Sequence, residues 1–195
     1  MNVSRITAII QGLFVITFLL VLVTSAHGQK RVRLKDADAL ISGKRGDTQY
    51  QRLIGNVVFT QNETTIYCDS AHFYRRENSV EAFGNVRIIE GDSITITRSR
   101  LIYNGDDKTA KLRRNVVFTK LETATLYTHN LDYARTTNLA YYFNGGRLVD
   151  SVNVLTSKKG YYNANTNLAS FKDDVKVTNP DYTMYADSMQ YNSRT

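Results

Sequence analysis

Carboxylates are the most numerous residues of this chain whose chemistry could support catalysis. A pair of them can cleave a glycosidic bond, one as acid and the other as base or nucleophile. Most of the acids, however, fall in predicted turns or at strand ends, where an Asp side chain caps the backbone. We therefore favour a structural role, with a β-solenoid enzyme acting on glycans as an alternative. The acids concerned are Asp69, Glu81, Asp92, Asp106, Asp107, Asp132, Asp150, Asp173, Asp174 and Asp187.

The histidines and the cysteine lack the spacing that metal centres and nucleophilic sites require. His72 and His129 lie far apart, and the sequence has no HExxH, HxxEH or CxxC motif. Cys68 is the single cysteine, so no internal disulfide can form, and its place in a predicted strand favours a buried thiol over a reactive one. The sequence thus predicts no catalytic residue, no metal and no cofactor.

The first 28 residues differ in composition from the rest. Arg5 is followed by a mostly apolar run over residues 6–23 and then by the small residues Ala26 and Gly28. This order is typical of a secretory signal peptide, which predicts a mature domain over residues 29–195 outside the cytoplasm. An uncleaved anchor is the alternative, because a run of 18 residues approaches the length that spans a bilayer.

A tyrosine recurs along the rest of the chain at intervals of 29, 30, 29 and 29 residues. Turn residues and alternating apolar runs, such as Val57–Thr60 and Val116–Thr119, recur with it. A period of this size is typical of stacked supersecondary units, and the alternation is typical of half-buried strands. We therefore predict an all-β fold in which helix beyond residue 30 is short or absent and the tyrosines fill the core or, alternatively, contact a ligand. The tyrosines are Tyr74, Tyr103, Tyr133, Tyr162 and Tyr191.

The alternation also predicts which side chains face the interior. The first and third residues of each run should point inward and the residue between them outward. The inward set is Val57, Phe59, Val86, Ile88, Val116, Phe118, Val175 and Val177, and the outward set is Val58, Arg87, Val117 and Lys176.

A net charge of +7 could attract nucleic acid, anionic lipid or acidic glycans. The positive residues are mostly scattered, which is typical of a solvated surface, and the predicted signal peptide argues against nucleic acid as a partner. The single cluster, Lys30, Arg31, Arg33 and Lys35, favours a flexible basic arm over a binding site.

The repeated steps, taken together with the signal peptide, resemble the OstA/LptA family, which includes LptA, the LptC ectodomain and the N-terminal domain of LptD. The likeness covers about residues 36–195. It implies a folded-over antiparallel sheet, a β-jellyroll or β-taco, built here from repeats of about 29 residues. The residues that carry it are Gly55-Asn56-Val57, Gly84-Asn85-Val86, Asn115-Val116 and Ala186-Asp187-Ser188.

The resemblance implies a periplasmic, non-enzymatic lipid conduit that bridges toward the outer membrane. Its apolar groove would bind the acyl chains of lipopolysaccharide, and its free strand edges would pair with other Lpt-family β-jellyroll proteins or with a second copy of the chain. A packed interior would instead favour an assembly scaffold. The residues expected to line the groove are Val57, Phe59, Tyr67, Val86, Ile88, Ile96, Leu101, Val116, Phe118, Leu126, Leu131, Leu155, Met184 and Met189.

Two copies of the repeat depart from the pattern. The fourth lacks a full hairpin between Leu148 and Leu155, which predicts a missing or fused strand pair. The last copy ends four residues after Tyr191, which favours either a domain truncated at its C-terminus or the front piece of a longer OstA-like protein. We expect the free edges of the sheet near residues 32–41 and near residues 183–191.

Overall fold

The computed structural model describes residues 31–91, 94–120, 124–163 and 165–192. Within these ranges all regular secondary structure is β-strand, so the prediction of an all-β fold is confirmed. The same residues accordingly include no helix that is long and apolar enough to cross a membrane. The predicted signal peptide lies outside the described residues, and the domain boundary after it stays a prediction.

One antiparallel sheet contains all fourteen strands of the described ranges. Val, Ile, Thr, Tyr and Phe are frequent in these strands because their side chains pack well on a pleated, half-buried surface. The strands are β1 (Arg33–Asp36), β2 (Ala39–Arg45), β3 (Thr48–Gln61), β4 (Thr64–Tyr74), β5 (Ser79–Glu90), β6 (Ile94–Asn104), β7 (Thr109–Lys120), β8 (Ala124–Ala134), β9 (Leu139–Tyr142), β10 (Gly146–Val149), β11 (Val154–Ser157), β12 (Lys159–Asn163), β13 (Leu168–Thr178) and β14 (Thr183–Asn192).

Three pairs of short strands each form one long strand that is broken near its middle. β1 and β2 both pair with β3, β9 and β10 both pair with β8, and β11 and β12 both pair with β13. The strands from β3 to β8 pair with their sequence neighbours, and β14 pairs with β13. The sheet is therefore a stack of long antiparallel strands, with β1 and β2 at one edge and β14 at the other.

These two edges are the ones that the sequence predicts, so that prediction is confirmed. In the described part of the chain, β1 and β2 pair with β3 alone, and β14 pairs with β13 alone. Both edges carry exposed apolar side chains, with Leu40 and Ile41 on β2 and Met184 and Tyr185 on β14. Whether another sheet pairs with them stays a prediction.

A line of bulges crosses the middle of the sheet. At Gly55-Asn56 and at Gly84-Asn85 both residues have positive φ, and the pairing register shifts there. A Cβ on Gly84 would collide with the carboxylate of Asp69, which accepts a hydrogen bond of 2.9 Å from Nδ2 of Asn85. Bulges bend the strand that carries them. The Gly-Asn steps of the repeat therefore mark a fold line.

The fold line separates two facing walls. The ring centroids of Phe59 and Phe73 lie 5.3 Å apart and those of Phe118 and Tyr162 lie 6.2 Å apart, although each pair spans the fold line. Wall A consists of β1, β10, β11 and residues 57–61, 64–68, 86–90, 94–98, 116–120, 124–128, 175–178 and 183–186. Wall B consists of β2, β9, β12 and residues 48–54, 70–74, 79–83, 100–104, 109–113, 130–134, 168–172 and 188–192.

The inner faces of the walls carry the side chains that the alternation predicts. All eight residues of the inward set are buried, whereas those of the outward set are half-buried or exposed. On wall B, aromatic and small residues alternate from strand to strand, and each lies directly opposite the next. We call this row the aromatic ladder. In order its members are Phe73, Val80, Tyr103, Ala110, Tyr133, Ala140, Tyr162, Ala169 and Tyr191.

This aromatic ladder corrects the alignment of the first repeat. Phe73, rather than Tyr74, lies opposite Val80 and occupies the place of the later tyrosines. Phe73 is buried, and Tyr74 lies on the outer face. Phe73 and Tyr74 are adjacent aromatic residues, and alignment by residue identity matches Tyr74 with the later tyrosines. The sequence alignment of the first repeat is therefore wrong by one residue.

The same shift makes the prediction of Tyr67 as a groove residue wrong. Ile66 lies opposite Ile88 on the inner face, whereas Tyr67 lies opposite Arg87, which is exposed. The guanidinium carbon of Arg87 stands 4.5 Å from the ring centroid of Tyr67. Side chains alternate between the two faces of a strand, so a slip of one residue moves the tyrosine to the outer face.

The expectation of a missing strand pair in the fourth repeat is also wrong. Leu148 on β10 lies directly opposite Leu155 on β11 in a complete hairpin. The long strand made of β9 and β10 and the one made of β11 and β12 are instead interrupted at the fold line. There the ring of Tyr142 occupies the space that a Cβ on Gly146 or Gly160 would need. A large ring at this place replaces the Gly-Asn bulge of the earlier copies.

Candidate functional site

The space between the two walls is an apolar interior that runs the length of the sheet. On wall A, residues that lie opposite one another from strand to strand form a continuous apolar ladder. Its members are Leu34, Phe59, Ile66, Ile88, Ile96, Phe118, Leu126, Leu148, Leu155, Val177 and Met184. All the expected groove residues other than Tyr67 belong to the inner faces, and their contact with a ligand stays a prediction.

The front section of this interior, lined by β3–β7, is filled by its own side chains. Leu53, Leu101 and Leu112 on wall B have no exposed surface, and Ile96 on wall A is 1% exposed. Interiors packed to this extent leave no space for another molecule. A packed interior favours an assembly scaffold, and the front section has this character.

The rear section, lined by β8–β14, is more open. Leu148, Tyr162 and Tyr191 are half-buried, and Met184 at the end of the wall A ladder is 43% exposed. An apolar cavity of about 60 Å³ lies here, well below the several hundred Å³ of typical small-molecule sites. A long ligand would therefore have to separate the walls. The cavity is lined by Phe118, Ala124, Leu126, Leu131, Ala140, Tyr142, Leu148, Gly160, Tyr161, Tyr162, Ala169, Phe171 and Tyr191.

The mouth of the interior is the opening between the ends of the two walls that lie away from the fold line. Polar side chains bridge the two walls across the mouth of the front section. Glu90 at the end of β5 forms an ion pair with Arg135 in the turn after β8, with 2.5 Å between Oε1 and Nε. Both side chains are largely shielded from solvent, at 17% and 16% exposure. The hydroxyl of Thr64 also donates a hydrogen bond to Glu90. This ion pair joins the tip of wall A to the tip of wall B.

Gln61, at the end of β3, makes a second bridge beside the ion pair. Its Nε2 donates a hydrogen bond of 2.8 Å to the carbonyl of Gly105, and its Oε1 accepts one of 2.5 Å from the hydroxyl of Tyr103. Burial raises the pKa of Tyr103 to about 12, although the Arg135 charge opposes this shift. The phenol therefore stays protonated at neutral pH and donates to Gln61.

The N-terminal residues close the mouth at its front end. The backbone N–H of Val32 donates to Oδ1 of Asn78 at 2.8 Å, and the Arg31 guanidinium donates to the carbonyls of Arg75 and Arg76. Arg33 is a member of β1, which pairs with β3. The prediction of a flexible basic arm is thus wrong for the described part of that cluster, because these residues are tied to both walls.

At the rear end the bridge between the walls is weaker. The Tyr191 hydroxyl on wall B donates to Oδ2 of Asp150 on the wall A turn at 3.5 Å. Burial alone would raise the pKa of Asp150, but hydrogen bonds from the N–H groups of Val152 and Asn153 lower it below its usual value. The carboxylate thus remains charged and serves mainly to cap its own turn.

Several of the residues with catalytic potential have structural roles. Asp69 accepts a hydrogen bond from the side-chain amide of Asn85, and Asp132 pairs with Arg113. Asp173 and Asp174, where β13 crosses the fold line, pair with lysines. Cys68 is buried, so the prediction of a buried thiol is confirmed, and this burial raises the pKa of the thiol to about 12. Among the described residues no group of three or more His, Cys, Asp and Glu side chains could hold a metal ion.

The bridging residues escape the sequence analysis, although a signal for them exists. Gln61 follows Phe59 by two residues, and Glu90 follows Ile88 by two, so the alternation places both polar side chains on the inner face. Polar residues at inward positions of strand ends indicate contacts across the mouth. Their partners are further along the chain and carry no local signal.

A family model described as OstA-like protein matches residues 29–187. The chain belongs to the OstA-like family. No protein with a curated description matches this OstA-like chain. Among solved structures it is similar to LptH of Pseudomonas aeruginosa, described as the LptA-homologous periplasmic component of the lipopolysaccharide transport device. The identity is 13% and the TM-score 0.31, over 83% of this chain and 94% of that one. The family assignment rests on the family model and not on this distant likeness.

Proposed function

We propose that the OstA-like chain is a periplasmic lipid conduit that holds the acyl chains of lipopolysaccharide between its two walls and bridges toward the outer membrane. The observation that carries this proposal is the unbroken apolar ladder of wall A, which runs from Leu34 to Met184 and becomes exposed at its last strand. Burying an acyl chain against such a surface is favourable by roughly 25 cal/mol per Å² of apolar area. Membership of the OstA-like family supports the proposal.

Bridging would use the two edges of the sheet. β2 and β14 are edge strands of the sheet in the described part of the chain and carry exposed apolar side chains, which suits pairing with another sheet of the same kind. End-to-end pairing would join the apolar interiors of successive molecules. The proposed partners are therefore lipopolysaccharide, other β-jellyroll proteins of its transport system and a second copy of the chain.

Labelling from the two faces of one short strand tests the proposal. Leu148 lines the interior, and its neighbour Arg147 on β10 is exposed on the outer face. We expect a photoactivatable residue at position 148 of the purified protein to form an adduct with added lipopolysaccharide, and the same residue at position 147 to form none. Equal labelling from both positions, or none from either, would contradict lipid binding in the interior.

An assembly scaffold is the second candidate, and the packing of the front section favours it. Leu53, Leu101 and Leu112 are fully buried among the protein's own side chains. A scaffold needs only the edges of the sheet, so its partners would still assemble when the interior is altered. Normal partner assembly by a variant that has lost lipid labelling would identify the scaffold role.

A further inference from the structure

We propose that Gln61, Thr64, Glu90, Tyr103 and Arg135 form a latch that closes the mouth over the front section and confines acyl chains to the rear section until it opens. This inference rests on the proposed function and assigns these residues a role in setting how much of the interior a lipid occupies.

The latch joins parts of the chain that are not neighbours in the sheet. Glu90 lies on β5 of wall A, and Arg135 lies in the turn between β8 and β9 of wall B. Gln61 on β3 of wall A likewise meets Tyr103 and Gly105 on wall B. Each bond spans the mouth, so the walls cannot separate at this point while these bonds persist.

The contacts of the latch depend on one another. Glu90 accepts from both Thr64 and Arg135, and Arg135 also reaches the carbonyl of Gln61 at 3.5 Å. Loss of Arg135 would leave Glu90 as a shielded carboxylate without its cation, which is strongly unfavourable. The glutamate would then turn toward water and draw the tip of wall A away from wall B. Arg135 therefore controls the closure.

The space beneath the latch differs from the space behind it. The cavity under the latch measures about 10 Å³, which leaves room for no more than one water molecule. Ile96, Tyr103 and Ala110 line it together with Glu90 and Arg135. The cavity of the rear section is about 60 Å³ and contacts half-buried side chains. Apolar chains thus find their first access in the rear.

The rear section also has a defined length. From β8 to β14 the stack counts four strand spacings, which amounts to roughly 19 Å at about 4.8 Å for each spacing. An acyl chain lying across the strands would extend over this distance before it met the latch. Opening the latch would add the length of the front section and join the interior from edge to edge, which is the path that a conduit requires.

Photolabelling on either side of the latch tests its effect on lipid. A diazirine residue of leucine size would replace Ile96 beneath the latch or Leu148 in the rear section of the full chain. With purified lipopolysaccharide as probe, we expect labelling from position 148 and little from position 96. Arg135→Gln should raise the labelling from position 96 at least fivefold. The exchanged pair Glu90→Arg with Arg135→Glu should restore the low value.

Arg113→Gln is the matched control, because it removes an arginine that pairs with Asp132 on the outer face of wall B. It should leave the labelling at position 96 unchanged. Strong labelling from position 96 in the protein with an intact latch would overturn the inference, as would an equal increase in the control. A lack of labelling from every position would speak against the proposed function instead.

A thiol at Ala110 tests the latch without any lipid. Ala110 lines the cavity beneath the latch, and the natural thiol, Cys68, is buried on another strand. We expect Ala110→Cys to react slowly with a polar thiol reagent, and at least fivefold faster when Arg135→Gln is added. Circular dichroism would verify that both variants keep their sheet. Equal rates would overturn the latch, whatever the lipid experiment shows.

Discussion

Phe73 and Tyr103 lie on either side of Val80, directly opposite it on the two neighbouring strands. The aromatic ladder of wall B therefore begins at Phe73 and not at Tyr74, its neighbour in the sequence. The side chains of Phe73 and Tyr103 are almost fully buried, at 2% and 4% exposure. This relationship fixes the faces of the wall B side chains of β4, at residues 70–74.

Replacing Phe73 should destabilise the protein far more than replacing Tyr74. Phe73→Ala removes a buried ring and leaves a cavity, so we expect a loss of about 3–5 kcal/mol in the free energy of unfolding. Tyr74→Ala removes an outer-face ring that contacts Tyr50, which should cost about 1 kcal/mol. Urea titrations followed by circular dichroism measure both values. A larger loss for Tyr74 would contradict the corrected register.

The bulge glycine at the fold line should resist substitution. Gly84 has a φ of +67°, and an added Cβ would collide with Asp69, whereas Gly91, with a φ of +53°, has open space around it. Left-handed backbone costs about 1–2 kcal/mol for a residue with a side chain. We expect that loss for Gly91→Ala and a larger one for Gly84→Ala.

Thermal unfolding compares the two glycine variants. Adding Asp69→Ala to Gly84→Ala removes the obstructing carboxylate, so part of the extra loss should be recovered. Equal stability of the two single variants would show that the Asp69 contact does not constrain the fold line.

An acid should have opposite effects in the front and rear sections. Leu112 in the front section is fully buried, so Leu112→Asp should unfold the sheet, because an unpaired buried charge costs several kcal/mol or more. Leu148 is half-buried beside the rear cavity, so Leu148→Asp should keep the circular dichroism of the sheet and lose most lipopolysaccharide binding. Arg147→Asp on the outer face is the control. Unfolding of the Leu148 variant would instead favour the packed scaffold.

Alkaline pH should weaken the fold partly through Tyr103. Burial raises its pKa from 10.0 to about 12, so the folded state retains the proton more tightly than the unfolded state. The stability that this difference supplies is complete below pH 10 and is lost as the pH rises from 10 to 12. By pH 11 the loss should reach about 1 kcal/mol.

Tyr103→Phe removes this titration. The free energy of unfolding of the variant should therefore fall less between pH 9 and pH 11 than that of the unaltered protein, in titrations with urea at each pH. Other buried tyrosines contribute to both proteins alike. Parallel curves for the two proteins would contradict the raised pKa of Tyr103.

Self-association should depend on the edges of the sheet. Ile41 is exposed on the edge strand β2, and Ile102 is similarly exposed on β6 in the middle of the sheet, at 52% and 41%. A charge on an edge strand disfavours pairing with another sheet. Ile41→Lys should therefore reduce association in sedimentation velocity experiments, and Ile102→Lys should not. A monomer at all concentrations for the unaltered chain would rule out edge pairing.

The sequence predicts the faces of the strands well, because the side-chain period of two follows from backbone geometry alone. Val57, Phe59, Val116 and Phe118 are accordingly placed on the correct side. The same geometry turns a misalignment of one residue into a wrong face. Aligning Tyr74 in place of Phe73 therefore assigns Tyr67 to the inner face, whereas it lies on the outer one. Short-range patterns thus suffice for burial but not for register.

Contacts across the mouth could not be predicted in the same way. Glu90 and Arg135 are brought together by the bend at the fold line and by the spacing of the walls, which are properties of the whole stack. The packing of the front section has the same origin. Alternation places apolar residues inward, but the distance between the walls decides whether they touch.

The most direct measurement of the central claim is photo-crosslinking in living cells from position 148, with position 147 as the outer-face control, followed by blotting for lipopolysaccharide. The lipid-conduit account predicts a lipopolysaccharide adduct from position 148, a much weaker one or none from position 147, and loss of the adduct when lipopolysaccharide synthesis is blocked. Adducts of equal strength from both positions, or an adduct from position 148 that contains only protein, would contradict it.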